Sequence, residues 1–116
     1  MSDDILDLKE ALERVQDDQA LLLELFDIFT EDFPQKRTQL DMAVKTKNSM
    51  EVRHIAHALK GASSNLSARK IYTSLAKLEK MGEEGNIATA AETLSQIDQE
   101  YKELQDYIGK IRTKLK

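Results

Sequence analysis

Cysteine is absent from this sequence and proline occurs once. The first absence excludes disulfide scaffolds and thiolate metal sites, and leaves an intracellular setting open. The second, with four glycines in 116 residues, leaves material for few and short loops. A basic excess is missing too: 17 lysines and arginines face 21 aspartates and glutamates, for a net charge of -4. That balance argues against nucleic acid, whose backbone is bound by basic surfaces. No stretch approaches the ~20 apolar residues of a membrane span. The start, MSDDILDLKE, is acidic and lacks the basic end and apolar run of a secretory signal. A cytoplasmic protein is expected, with other proteins as its partners and neither nucleic acid nor membrane among them.

The residues that are present have the balance of a soluble, mostly helical chain, 33% charged and 41% apolar. The length suits one domain, 1–116, which on folding buries roughly two-thirds of its unfolded surface around one modest core. Helical periodicity runs nearly throughout, with no strand-like alternation of useful length. A short amphipathic helix is expected from Ile5 to Val15, after which Asp17 or Asp18 can cap the next. That second helix carries Leu22, Leu25, Phe26, Phe29 and Phe33, and its stripe resumes beyond Pro34 with Leu40, Ala43 and Val44. Because the register survives the proline, one long helix kinked at Pro34 is preferred over a fresh helix starting there.

Asn48 followed by Glu51 has the spacing of a capping box and starts a third helix, expected to end near Asn65 or Leu66. Ser67 can cap a fourth, lined by Ile71, Leu75, Leu78 and Met81 and broken by Gly82, Gly85 and Asn86. The last helix, from Ile87 to Leu115, keeps a sustained heptad through Leu94, Ile97, Tyr101, Leu104, Ile108 and Ile111. Such a stripe could be an intermolecular coiled-coil seam, but the other helices need it as cover. The expected fold is all-α: an antiparallel up-down-up-down four-helix bundle with the short N-terminal helix across one end.

Both histidines lie in the third helix, within HIAHALKGASSNLSA, residues 54–68. At about 100° per residue, Val52, Ile55, Leu59, Ala62 and Leu66 cluster within roughly 60° of one another, and His57 points about 180° away, toward solvent. Arg53, His54, Lys60, Gly61 and Ser64 fall on the same outward face. Gly61 costs that helix roughly 1 kcal/mol relative to alanine. What it provides is access, since without a β-carbon a bulky partner can approach the imidazole. A neutral imidazole can attack an activated phosphoryl group, and a histidine pKa near 6.5 leaves the ring largely unprotonated at about pH 7. Lys60 and Ser64 could then steady the phosphoryl oxygens, while Arg53 and His54 add positive potential and docking contacts. A plain solvated surface is the competing reading of the same spacing.

The run AHALKGASSNLSA, from Ala56 to Ala68, resembles the signature of histidine-containing phosphotransfer (HPt) domains, a histidine, two residues, Lys-Gly, four residues, then Leu-Gly-Ala. The matching residues are His57, Lys60, Gly61, Leu66 and Ala68, with Asn65 in its usual place. The likeness extends to the Phe-Pro break in the second helix, the Asn48 turn, the pair Leu78 and Glu79, the EGN turn and the long last helix. The departure is Ser67, which replaces a glycine. The resemblance implies a phosphocarrier rather than an enzyme, with His57 as phosphoacceptor, Lys60 steadying the phosphoryl group and Gly61 leaving room for the partner. It implies response-regulator receiver domains and a sensor histidine kinase, possibly a hybrid one, as partners, and a monomer.

No carboxylate on the helix face of His57 is near enough to build a magnesium site, so the Mg2+ that phosphoryl transfer normally uses is expected on the receiver. His54 and His57 without a third ligand make a poor metal site, and none is expected. A general-base enzyme would need an orienting carboxylate and a substrate pocket, and an outward-facing helix position supplies neither. The alternative function is a helical adaptor that binds receiver or kinase partners without carrying phosphate.

Overall fold

In a computed structural model, residues 2–115 are described, the first two of them in backbone only; Met1 and Lys116, the ends of the expected domain, lie outside. Among the described residues six helices follow one another: α1 Ser2–Ile5, α2 Leu8–Arg14, α3 Gln19–Lys45, α4 Ser49–Asn65, α5 Arg69–Glu83 and α6 Ala90–Leu115. The last four form the expected antiparallel bundle, in which α4 packs on α3 and α5, and α6 closes the ring against α5 and α3. The molecule is an elongated 44 × 21 × 21 Å, because a 26-residue helix is about 39 Å long.

Helix α3 runs unbroken through Pro34. It buries Leu22, Phe26, Phe29, Phe33, Leu40 and Ala43, while Leu25 and Val44 are half-buried. Phe33 stacks on Tyr101 with ring centroids 3.8 Å apart, and the Tyr101 hydroxyl donates to the Thr30 carbonyl at 3.1 Å. The heptad stripe of α6 is spent on this core, with Leu94, Ile97, Leu104, Ile108 and Ile111 buried. It leaves no intermolecular seam. Arg37 with Asp98 and Arg112 with Asp27 tie α3 to α6 at the surface.

Several local expectations are corrected. The N-terminal segment is two helices rather than one from Ile5 to Val15, because Asp7 accepts from the Glu10 amide at 3.1 Å and so starts α2 afresh. Leu6, between them, is fully buried. The Asn48 cap forms, its side chain accepting from the Glu51 amide at 3.1 Å, but the Asn48 amide bonds back to the Ala43 carbonyl at the end of α3 instead of completing a capping box. Helix α6 begins at Ala90, with Ile87 just before it.

Gly82 does not break α5. It lies inside the helix, where a β-carbon would come within 2.6 Å of the Arg53 amide nitrogen and 2.8 Å of the Ser49 carbonyl oxygen. The α4 backbone lies so close to it that only glycine fits there.

Ser67 is not a cap either. Its φ of 56° places it in the left-handed region, and the next amide, of Ala68, bonds back to the Ser63 carbonyl at 3.0 Å in the manner of a Schellman turn. A glycine would sit there without strain. The serine hydroxyl instead donates to Glu10 at 2.8 Å and accepts from Arg14 at 3.1 Å. Arg69 reaches Glu10 at 2.6 Å and Asp7 at 3.3 Å. These bonds fasten α2 to the turn that ends the histidine-bearing helix. The Glu10 carboxyl is held below its ordinary range by the hydrogen bonds from Ser67, Arg69 and Arg14.

Candidate functional site

Helix α4 buries Val52, Ile55, Ala56, Leu59 and Ser63, which turns His57 outward. Its side chain is 69% exposed. The ring is nonetheless held: Nδ1 lies 2.8 Å from Oε2 of Glu79, on α5. The second oxygen of that carboxylate, Oε1, accepts from the Lys60 ammonium at 2.6 Å. Glu79 is only 15% exposed and thus joins the two signature side chains from the neighbouring helix. Its carboxyl is held below the ordinary range chiefly by the Lys60 hydrogen bond, with that of His57 adding to it against the opposing effect of burial. Lys60 is raised in turn by Glu79.

An ionised carboxylate only accepts, so the proton of a neutral His57 ring belongs on Nδ1. The lone pair is then on Nε2, the nitrogen that the ring does not commit to Glu79. One turn further along α4, Gly61 is exposed, and a β-carbon built there would meet nothing within 4 Å.

The remaining candidate residues divide. His54 is exposed one turn before His57. Arg53, Lys60 and Ser64 are half-buried rather than fully outward, since they lie on the flank of α4 that α5 covers. Arg53 runs back toward Met50, its Nη1 3.9 Å from the sulfur, and its Nε is buried without a partner. Ser64 lines a groove with Arg14 of α2 and Tyr72 of α5. On the other flank, toward α3, Leu25, Ile28, Asp32, Ala62 and Asn65 line a cavity of about 80 Å³. Ile28 of that lining is 60% exposed, and Leu21, earlier on α3, is 40% exposed.

Sequence reasoning missed the role of Glu79. It placed an orienting carboxylate out of reach of His57, and α5 supplies one. The available signal was its position directly after buried Leu78, flanking the apolar seam of α5, where an acid meets the basic flank of a neighbouring helix. The carboxylate does not create a pocket, because the ring it holds faces solvent. Among the described residues, no group of three or more His, Cys, Asp or Glu is placed to hold a metal ion, and no helix is long and apolar enough to cross a membrane.

A family model described as the Hpt domain matches residues 24–107 of this chain. The chain belongs to the Hpt domain family. The fold agrees: the crystal structure of histidine-containing phosphotransfer protein B (HptB) from Pseudomonas aeruginosa PAO1 superposes with a TM-score of 0.81 at 26% identity, over 95% of this chain and 96% of that one. Among curated proteins, no sequence relative matches. Hpt domains are phosphocarriers of phosphorelays rather than enzymes, and this chain shares that role.

Proposed function

We propose that this Hpt domain relays a phosphoryl group between aspartates of response-regulator receiver domains, through Nε2 of His57. The observation that carries this reading is the ring itself, 69% exposed as a side chain and held at Nδ1 by Glu79 at 2.8 Å, which leaves Nε2 uncommitted. The Nε2 lone pair attacks phosphorus in line as the bond from phosphorus to the aspartyl oxygen breaks, and that electron pair leaves on the aspartate carboxylate. No proton need leave the ring, because Nδ1 keeps its own. The positive charge that develops on the phosphorylated imidazole then faces the Glu79 carboxylate, which favours it. The return step to a downstream aspartate reverses these bond changes.

Lys60 turns from Glu79 to the phosphoryl oxygens as a point-charge donor, and Ser64 is the weaker candidate for a further hydrogen bond. The Mg2+ that neutralises the transferring group belongs to the receiver. Docking uses the flank toward α3, where exposed Leu21 and Ile28 and the cavity above Ala62 form an apolar patch beside Gly61, rimmed by Asp32 and Asn65. Arg53 and His54 border this contact at the other end of α4. The domain works in the cytoplasm as a monomer, fed by a sensor kinase.

The test is to mix the protein and its His57→Gln variant with receivers carrying radiolabelled phosphate. Label that is stable in alkali, lost in acid and confined to the wild type supports the relay. Wild type that binds receivers but never takes label points to the adaptor reading.

A further inference from the structure

Lys60 does not rest on Glu79 alone. Its ammonium lies 5.9 Å from the centroid of the Tyr72 ring, over the ring face. Tyr72 and Glu79 are seven residues apart on α5, two turns along one face, so the two side chains bracket the ammonium. Tyr72 is 38% exposed, whereas Phe26, Phe29, Phe33 and Tyr101 are buried and Tyr107 is half-buried.

The geometry points to Tyr72 as a positioning residue for Lys60, holding the ammonium within reach of His57 while its partner changes from Glu79 to the phosphoryl group. This rests on the phosphotransfer reading of His57. A lysine head is a compact cation on a flexible four-carbon stem, and a phosphoryl group on Nε2 would draw it off the Glu79 oxygen. In that exchange the carboxylate contact is surrendered, whereas the ring face is available before and after. Attraction of a cation to the ring needs no fixed hydrogen-bond direction. It restricts where the stem can carry the charge without competing for the same donors. Tyr72 therefore acts through Lys60 and touches neither the imidazole nor the transferred group.

The magnitude follows from a cation–π contact at a partly exposed site, worth about a two- to fivefold change in an equilibrium or rate. In Tyr72→Leu, the lifetime of the phosphorylated protein should shorten by about that factor. Tyr72→Phe keeps the ring and should restore the wild-type lifetime, and Tyr72→Leu should add nothing in a Lys60→Ala background. The Lys60 ε-methylene proton resonances give an independent readout in the unphosphorylated protein. They should carry an upfield ring-current shift in wild type and Tyr72→Phe, and lose it in Tyr72→Leu.

If wild type takes label but Tyr72→Leu decays at the wild-type rate, or Tyr72→Phe fails as Tyr72→Leu does, the role of Tyr72 is overturned and the relay stands. If wild type takes no label, the relay fails. The ε-methylene shift then still decides whether the ring holds the ammonium, and its absence in wild type overturns the positioning role directly.

Discussion

Replacing Gly61 by alanine and by glutamine separates stability from transfer at one position. A glycine inside a helix costs about 1 kcal/mol relative to alanine, and glutamine is nearly as good a helix former. Nothing lies within 4 Å of the added β-carbon, so no packing loss offsets that gain. Both variants should be more stable in urea unfolding by about 0.5–1 kcal/mol, which raises Tm by about 4 °C for a chain of this size. Transfer should move the other way. Alanine adds one methyl group on the approach to Nε2, and glutamine a whole side chain. Quenched-flow transfer from a charged receiver should slow slightly for Gly61→Ala and at least about tenfold for Gly61→Gln, equivalent to roughly 1.4 kcal/mol of lost approach. A Gly61→Gln protein that is more stable and transfers at the wild-type rate would refute the reasoning, because the glycine would then serve no partner.

Gly82→Ala should do the reverse of Gly61→Ala: a β-carbon 2.6 Å from the Arg53 backbone nitrogen forces α4 and α5 apart, and urea unfolding should show a loss of about 1–3 kcal/mol despite the better helix former. Lys60→Ala should shorten the phosphorylated lifetime or slow transfer by about three- to tenfold, as expected for one solvent-accessible hydrogen bond, which a decay time course checks. Glu79→Gln keeps an acceptor for Nδ1 but removes the charge, and pre-steady-state transfer near neutral pH should fall about tenfold. Glu79 also links stability to pH. Its pKa is depressed below 4.5 in the folded state, so its contribution is present above pH 4.5 and is lost as pH falls through the depressed value. Urea titrations across that acidic window should show a steeper loss for wild type than for Glu79→Gln.

The bundle was legible because each long helix repeats its apolar residues at helical spacing, and because α6 holds one stripe from Ala90 to Ile111. His57 and Gly61 were legible for the same reason, since a helix wheel alone sets which residues oppose Leu59. What stayed hidden depends on contacts between helices. Gly82 looks like a helix breaker until Arg53 is seen against it. Ser67 looks like a cap until its backbone is seen in the left-handed region, with its hydroxyl bonded to α2. Glu79 carries no role until α5 is laid beside α4 and one carboxylate meets both Lys60 and His57. The break at Asp7 was legible in principle, because Asp7 and Glu10 have the spacing of a helix start.

The most direct measurement is to locate the phosphoryl group on the imidazole. The chain has two histidines, His54 and His57, so nitrogen-15 labelling of both and long-range proton–nitrogen spectra, recorded before and after exposure to a phosphorylated receiver, resolve all four ring nitrogens. The predicted result is a shift and phosphorus coupling at Nε2 of His57 alone, with Nδ1 remaining protonated. Phosphorus on His54, on Nδ1 of His57, or on neither ring would contradict the proposed phosphoacceptor.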